Sequence, residues 1–470
     1  MTGRGNFKYS CAGWIFLFLV LNTAFTHGNY DNTLARYATM ASLSEDNSYQ
    51  IDKYVGPTSD WGRTPDGHYY SNKPPGPMLL GFPLFWVLDK WLTYPATDRA
   101  ERDRIRQKSR DEVLRLLSLL FQVIPFAFLT WLTLGHLKKL GVSARAAQIT
   151  ALALLFGNTS AVFMNSYFGH GMAALGILGA TLALLKKRPV LIGLGFGLAL
   201  LCDFGTALLA LPLFAAAWLS GEAKGPKTLG WIVLGGVLPG LLWCQYHITC
   251  FGSPFIVADK FVNPIFINKN HGDNLWGILA LPPNYDVLGK LLFGNVSGIL
   301  WTQPWLLFLC LVLPAVMVKA NREKWATEPE IKSLTLFAVP GLCFLLLMNA
   351  SFGGWHNGGT PGPRYLCSVF PAFAVLLGLC YDRLKPAFQM TAWALLFTSL
   401  VYFILVISTT LYTNTFPLWP FYFKFALVTP TGRTIARLVI TTLGFLTALY
   451  WELRPSAPAA RGEQSPHAAE

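Results

Sequence analysis

Several short polar segments interrupt an otherwise apolar chain, and each carries an ionisable residue suited to group transfer. The first reads His27-Gly28-Asn29-Tyr30-Asp31-Asn32-Thr33-Leu34-Ala35-Arg36-Tyr37-Ala38. Leu34, Tyr37, Ala38 and Ala41 recur at i, i+3, i+4 and i+7, the stripe of a short helix that begins near Asp31. A carboxylate there can accept a proton from an attacking hydroxyl, or it can simply cap the helix. The second segment, Asp66 to Pro77, contains Lys73-Pro74-Pro75. The proline after Lys73 pushes that residue into extended geometry, and a fixed ammonium suits a phosphate. The plainer alternative is an interfacial lysine snorkelling to water. His170 opens an apolar run after Asn165-Ser166-Tyr167-Phe168-Gly169, and Asp203 sits in a tight turn between two apolar runs. Ionisable groups at membrane edges are often functional, although a tight turn also needs a polar residue. The last segment, Gly354 to Tyr365, carries His356 and Arg364 among glycines and prolines. Such a loop brings backbone N–H groups close to a ligand, and arginine holds a phosphate through paired hydrogen bonds.

The elements that must position these residues are membrane helices. The 470 residues are 53% hydrophobic and only 13% charged, against about 25% charged in soluble chains. That excludes a soluble enzyme, a disordered chain and a coiled coil. No Walker loop, HExxH, GxSxG, CxxC or nucleotide-binding glycine fingerprint occurs. Apolar runs fall at about 113–135, 146–164, 171–185, 189–202, 204–220, 229–247, 299–318, 332–349, 365–381, 390–411 and 434–452. With an uncleaved first span from about Cys11 to Phe25, they predict an all-α integral membrane protein of about twelve transmembrane helices. Residues 1–452 then form one polytopic domain, and 453–470 a short, disordered cytoplasmic tail.

The net charge of +13 reads by loop. Lys138, Lys139 and Arg145; Lys186, Lys187 and Arg188; Lys224 and Lys227; Lys319, Arg322 and Lys324; and Arg383 and Lys385 alternate with short loops almost free of basic residues. Basic loops stay in the cytoplasm, as do Arg4 and Lys8. Residues 27–112 then form a long external segment, provided that 77–92 is an interfacial helix and does not span. All the candidate site residues fall on that outer face. The charge orients helices, so no nucleic-acid partner is expected.

Together these motifs resemble the GT-C superfamily of polytopic glycosyltransferases, especially its aminoarabinose-transferase and protein O-mannosyltransferase-like branch. The acidic residue after the first span (Asp31), Lys73-Pro74-Pro75 before an interfacial helix, and the Gly/Trp loop ending in Pro363-Arg364-Tyr365 carry the likeness. It implies a GT-C-like fold and a polyprenyl-phosphate-sugar donor. The acceptor would be a lipid, a glycan or a protein bound at the membrane surface among membrane lipids. Asp31 would be the general base of an inverting attack. Lys73, Arg36, Tyr37, His170, Asp203, His356 and Arg364 would bind the substrates, with Lys73 and Arg364 at the departing phosphate. Family members often carry a second acidic residue beside the first, where Asn32 stands here. Glu45, Asp46, Asp60 and Asp66 are the candidates for that second carboxylate, and a divalent metal is left open. The expected setting is a bacterial inner membrane with the site facing the periplasm. The competing readings are a flippase or transporter of a lipid-linked saccharide and a non-catalytic scaffold. The polar groups gather on one face with no evident internal repeat, which favours an enzyme over a transporter.

Overall fold

The computed structural model describes residues 11–25, 30–220, 226–256, 258–266, 279–323, 327–410 and 416–453. Arg4, Lys8, His27, Gly28, Asn29, Lys224, Lys324 and the tail beyond Leu453 lie outside them.

Among the described residues, the regular structure is helical apart from one hairpin and two isolated β-bridges. It begins with α1 (Ala12–Ala24), then α2 (Asp31–Asp46), strands β1 (Trp61–Arg63) and β2 (Tyr69–Ser71), and α3 (Gly76–Leu92). Next come α4 (Arg99–Ser118), α5 (Ile124–Lys139), α6 (Ala144–Leu155), the short α7 (Thr159–Val162), α8 (Gly169–Leu185) and α9 (Pro189–Cys202). They are followed by α10 (Ala210–Ser220), α11 (Pro226–Phe251), α12 (Tyr285–Phe293), the short α13 (Ile299–Thr302), α14 (Pro304–Glu323) and α15 (Glu328–Ser351). The chain closes with α16 (Phe370–Tyr381), α17 (Pro386–Ser408), α18 (Leu418–Phe423) and α19 (Gly432–Leu453). Among the described residues, seven helices are long and apolar enough to cross a membrane, and six more apolar helices are shorter. Each of the twelve expected runs falls on one of these. Leu418–Val428 is a further apolar helix, cut short by a π turn at Lys424–Val428.

Two expected spans are broken. The run 146–164 stops at Leu155, and Asn158 explains both the stop and the restart. Its Nδ2 donates to the carbonyls of Ala153 (2.6 Å) and Leu154 (3.0 Å), while its Oδ1 accepts from Ser160 N (2.8 Å) and Ala161 N (3.3 Å). The run 299–318 breaks at Gln303, whose Oε1 accepts from Thr159 N at 3.0 Å. Buried backbone leaves the helix only where side chains replace the lost partners.

Ends of the bundle sort by composition. Ser143 N donates to Asp382 Oδ2 at 2.8 Å, joining two of the basic connections, and Gly13 N donates to Glu452 Oε1 at 2.8 Å, joining the start of α1 to the end of α19. At the far end of α1, Asn165 Nδ2 donates to Phe25 O at 2.9 Å.

Helices α2, α3 and α4 form a unit stapled by buried charge. Arg106, 3% exposed, forks onto Asp89 through Nε–Oδ1 and Nη2–Oδ2, both 2.8 Å, and also reaches Glu45 Oε2 at 2.8 Å. Ser44 Oγ donates to Asp89 Oδ2 at 2.6 Å. One face of 99–110 makes such pairs through Arg99, Arg102 and Arg106, while Arg104, Gln107 and Lys108 are exposed. The same helix continues through a π turn at Leu119–Val123 into α5 as one rod, Arg99–Lys139.

Candidate active site

Helix α2 carries two site residues, Asp31 and Arg36, five residues apart. Thr33 caps it: Thr33 Oγ1 accepts from Tyr30 N at 3.1 Å, and Thr33 N donates to Tyr30 O at 2.8 Å. Asp31 is thereby left free of the capping role. Among the described residues its carboxylate is bonded by Ser59 Oγ, while Thr58 Oγ1 donates to its backbone carbonyl at 2.8 Å. Asp31 lines an open depression of about 480 Å³ together with Ser59, Trp61, Tyr69 and Asn263. Asn263 had no sequence signal. It holds the loop by accepting Ser59 and Trp61 as partners: its Nδ2 donates to Ser59 O at 3.1 Å and its N to Trp61 O at 2.9 Å.

The hairpin brings Lys73 to its place. Antiparallel register pairs Trp61 with Ser71 and Arg63 with Tyr69, so the residues just outside it, Asp60 and Asn72, meet next. Asn72 N donates to Asp60 O at 3.3 Å. Lys73 Nζ then lies 3.0 Å from Asp60 Oδ1, with both side chains largely buried. Lys73 therefore does not snorkel; it is tied to a carboxylate one residue from Ser59.

Arg36 is 2% exposed and is the cation at the centre. It donates to Asn32 O at 3.1 Å and to the Asn32 side chain. Burial pulls its guanidinium down to about 10, against the opposing fields of Asp60 and Asp203, so it stays charged at neutral pH. Those two carboxylates act on Arg36 from different elements, Asp60 from the first loop and Asp203 from the end of α9.

His170 and Asp203 come together because α8 and α9 form an antiparallel pair of similar length. Seventeen residues run from Gly169 to Leu185 and fourteen return from Pro189 to Cys202, legs of roughly 25 and 21 Å at 1.5 Å per residue. His170 Nδ1 lies 2.6 Å from Asp203 Oδ2, and both residues are buried. The carboxylate partner keeps the proton on Nδ1. Asp203 Oδ1 also accepts from Gly205 N at 3.1 Å, so Asp203 both closes the turn and holds the His170 ring. A Cβ on Gly169 would sit 2.2 Å from Cys202 O, and one on Gly76 would sit 2.5 Å from Cys202 Sγ. Glycine at these positions lets α8 and α3 close on the end of α9.

Arg364 lies over the Tyr365 ring at 4.9 Å and donates to its hydroxyl at 2.8 Å. Tyr365 in turn packs edge-on against His170, ring centroids 5.5 Å apart. His356 is held below the ordinary histidine range by burial and by Arg364 nearby. Contacts therefore join Arg364, Tyr365, His170 and Asp203 on one side and Asp60 and Lys73 on the other, with the buried Arg36 in the field of both carboxylates and Asp60 adjacent to the Ser59 that bonds Asp31. Tyr365 and Asp60 complete the set. Tyr37 does not join: its hydroxyl donates to Arg106 O at 2.9 Å, in the α2–α4 staple. Of the other candidate second carboxylates, Glu45 and Asp46 are taken up by Arg102, Arg106 and Arg99, and Asp66 bonds Thr64 in the hairpin turn. Among the described residues, no group of three His, Cys, Asp or Glu is gathered tightly enough to hold a metal ion.

No family model and no curated protein matches this chain. Among solved structures it is similar to ArnT, an aminoarabinose transferase, from Cupriavidus metallidurans bound to undecaprenyl phosphate: TM-score 0.47 and 17% identity, over 93% of this chain and 71% of that one. It is also similar to the oligosaccharyltransferase AglB from Archaeoglobus fulgidus in complex with an inhibitory peptide and a dolichol-phosphate: TM-score 0.41 and 12% identity, over 94% of this chain and 55% of that one.

Proposed function

We propose that the chain is a GT-C membrane glycosyltransferase that moves a sugar from a polyprenyl-phosphate donor to a hydroxyl of a lipid, glycan or protein acceptor. The observation that carries this reading is Asp31, at the mouth of an open depression, on the same short helix as the buried cation Arg36 and one loop contact from the Asp60–Lys73 pair. Ser59 fixes the carboxylate and leaves it room to accept the acceptor's proton. The acceptor oxygen then attacks the anomeric carbon from the side opposite the phosphate. The bond from that carbon to the phosphate oxygen breaks, and polyprenyl phosphate leaves with the electron pair. Lys73, Arg36 and Arg364 meet the charge that develops there. Asp60 holds Lys73 and Asn32 holds Arg36 in place before substrate arrives.

Under the rule that basic connections face the cytoplasm, the Asp31 end of the bundle faces outward, in a bacterium towards the periplasm. The test is Asp31→Asn, assayed in proteoliposomes with a polyprenyl-phosphate sugar. Transfer should fall about 10²–10⁴-fold with normal membrane expression. Full transfer by that variant removes Asp31 as the base. Translocation of the lipid-linked sugar, unaltered by the substitution, identifies a flippase instead.

A further inference from the structure

The walls of the Asp31 depression narrow the choice between a lipid, a glycan and a protein acceptor. Most of its polar side chains are spent on their own loop. Ser59 Oγ bonds Asp31 Oδ2, and Thr58 Oγ1 donates to Asp31 O at 2.8 Å. Asn263 Nδ2 donates to Ser59 O at 3.1 Å, and its Oδ1 accepts from Ile265 N at 3.2 Å. Three polar atoms of the lining residues have no hydrogen-bond partner among the described residues: Asp31 Oδ1, Trp61 Nε1 and the Tyr69 hydroxyl. None of the three is enclosed by protein, so each keeps surface to offer a ligand.

Two of these atoms sit on aromatic rings. Trp61 pairs with Ser71 and Arg63 with Tyr69, so Trp61 and Tyr69 are diagonal neighbours on one face of the hairpin. Their rings stand at 88°, with centroids 5.0 Å apart. Arg63 lies over the Tyr69 ring at 5.4 Å and turns its Nε to Gly67 O. An edge-to-face pair leaves at least one face of the indole uncovered by its partner. Trp61 therefore offers a flat apolar face with a donor at its edge. Tyr69 offers a hydroxyl, and Asp31 an acceptor.

That set fits a sugar ring, which has an apolar C–H face and a rim of hydroxyls. The negative face of an aromatic ring attracts such C–H groups. An extended peptide finds no strand edge to pair with. Asn263 N takes Trp61 O (2.9 Å), Ile51 N takes Tyr69 O (2.8 Å), Tyr69 N is spent on Asp52 (2.6 Å) and the Tyr246 hydroxyl takes Ser71 O (3.2 Å). An anionic group is disfavoured: Asp31 lines the depression and, among the described residues, no Lys, Arg or His does. Lys73 is tied to Asp60.

We propose that the depression is the acceptor subsite and takes a neutral sugar residue, with Trp61 as its stacking platform. Trp61 Nε1 and the Tyr69 hydroxyl bond the ring hydroxyls. Asp31 Oδ1 receives the proton of the hydroxyl whose oxygen forms the new glycosidic bond. The sugar is the end of a free glycan or the head of a glycolipid. This rests on the reading of Asp31 as the base.

Binding measured without donor separates the subsite from the reaction. The full-length protein is used in phosphatidylcholine nanodiscs. Saturation-transfer NMR with glucose, cellobiose and mannobiose reads the free source. Native mass spectrometry after doping with monoglucosyldiacylglycerol reads the glycolipid source. Saturable binding in either arm, weakened about 10-fold or more in Trp61→Ala and largely retained in Trp61→Phe, supports the subsite. Tyr69→Phe removes only a hydroxyl without a protein partner, so it leaves the fold intact and should weaken the same sugars less. Binding in neither arm overturns the proposal, as does binding that Trp61→Ala and Tyr69→Phe both leave unaltered. Glucose 6-phosphate binding more tightly than glucose overturns the neutral class, and a Ser/Thr peptide binding where no sugar does overturns the sugar. Transfer retained by Asp31→Asn, with sugar binding intact, removes the base and not the subsite.

Discussion

Lys73 Nζ stands 3.0 Å from Asp60 Oδ1, and the register of a three-residue hairpin is what puts it there. The pair holds a largely buried Lys73 side chain in place, and in the proposed reaction Asp60 acts only through Lys73. A double-mutant cycle tests this order. Lys73→Met should lower kcat for transfer about 10²–10³-fold. Asp60→Asn, which can still accept a hydrogen bond from Lys73, should cost far less. The double variant should match Lys73→Met alone, because coupled residues are not additive. Additive losses would show that Asp60 has its own contact with substrate.

The His170–Asp203 pair depends on Gly169 as much as on the two partners. A methyl at residue 169 would overlap Cys202 O and push α8 away from α9. Gly169→Ala should therefore destabilise the protein by about 1–3 kcal/mol, and transfer should fall even in molecules that remain folded. Thermal unfolding followed by tryptophan fluorescence in detergent, together with kcat on the folded fraction, separates the two effects. Gly135, whose Cβ position is open, serves as the control.

How much of this was legible beforehand follows from the length scale of each cause. Hydropathy found every apolar helix that the twelve-span reading needed, because each run is local. It missed the breaks at Asn158 and Gln303: Asn158 turns its amide onto backbone on both sides of itself, which hydropathy does not weigh, and Gln303 finds the Thr159 N–H of a segment 144 residues away. Asp31, Arg36, Lys73, His170, Asp203 and Arg364 could be singled out by type and neighbours. Their partners could not: Asp60 meets Lys73 only through strand register, and Asn263 meets Ser59 from a segment 204 residues away. Tyr37 illustrates the reverse failure. It stands one residue from Arg36, yet a helix turns about 100° per residue, which sends its hydroxyl to Arg106.

Arg106 is the keystone of the α2–α3–α4 unit, since Asp89 and Glu45 both depend on it. Arg106→Met leaves the buried Asp89 carboxylate with only Ser44 as a partner, while Glu45 keeps Arg102, and should cost about 3–5 kcal/mol. The triple variant Arg106→Met, Asp89→Leu, Glu45→Gln should recover part of that loss, because no uncompensated charge remains. Hydrogen exchange over residues 31–118 reads the effect directly. If Arg106→Met leaves exchange there unchanged, the staple is not what holds the unit together.

Acid should open the same unit before it melts the membrane helices. Hydrogen bonds from Arg102 hold Glu45 down at about 2, from 4.5, and Arg99 holds Asp46 at about 2, from 3.8. Both folded-state values are depressed. The unfolded chain therefore binds protons first, and the stabilisation is complete above the unfolded values. It is lost as pH falls from about 4.5 through about 2. Hydrogen exchange in α2 and α4 should quicken across that window while exchange in α8 and α16 stays slow. Glu45→Gln should flatten the pH dependence at the α2–α4 contact and lower the neutral-pH stability. An acid transition of the same size in that variant would place its cause elsewhere in the chain.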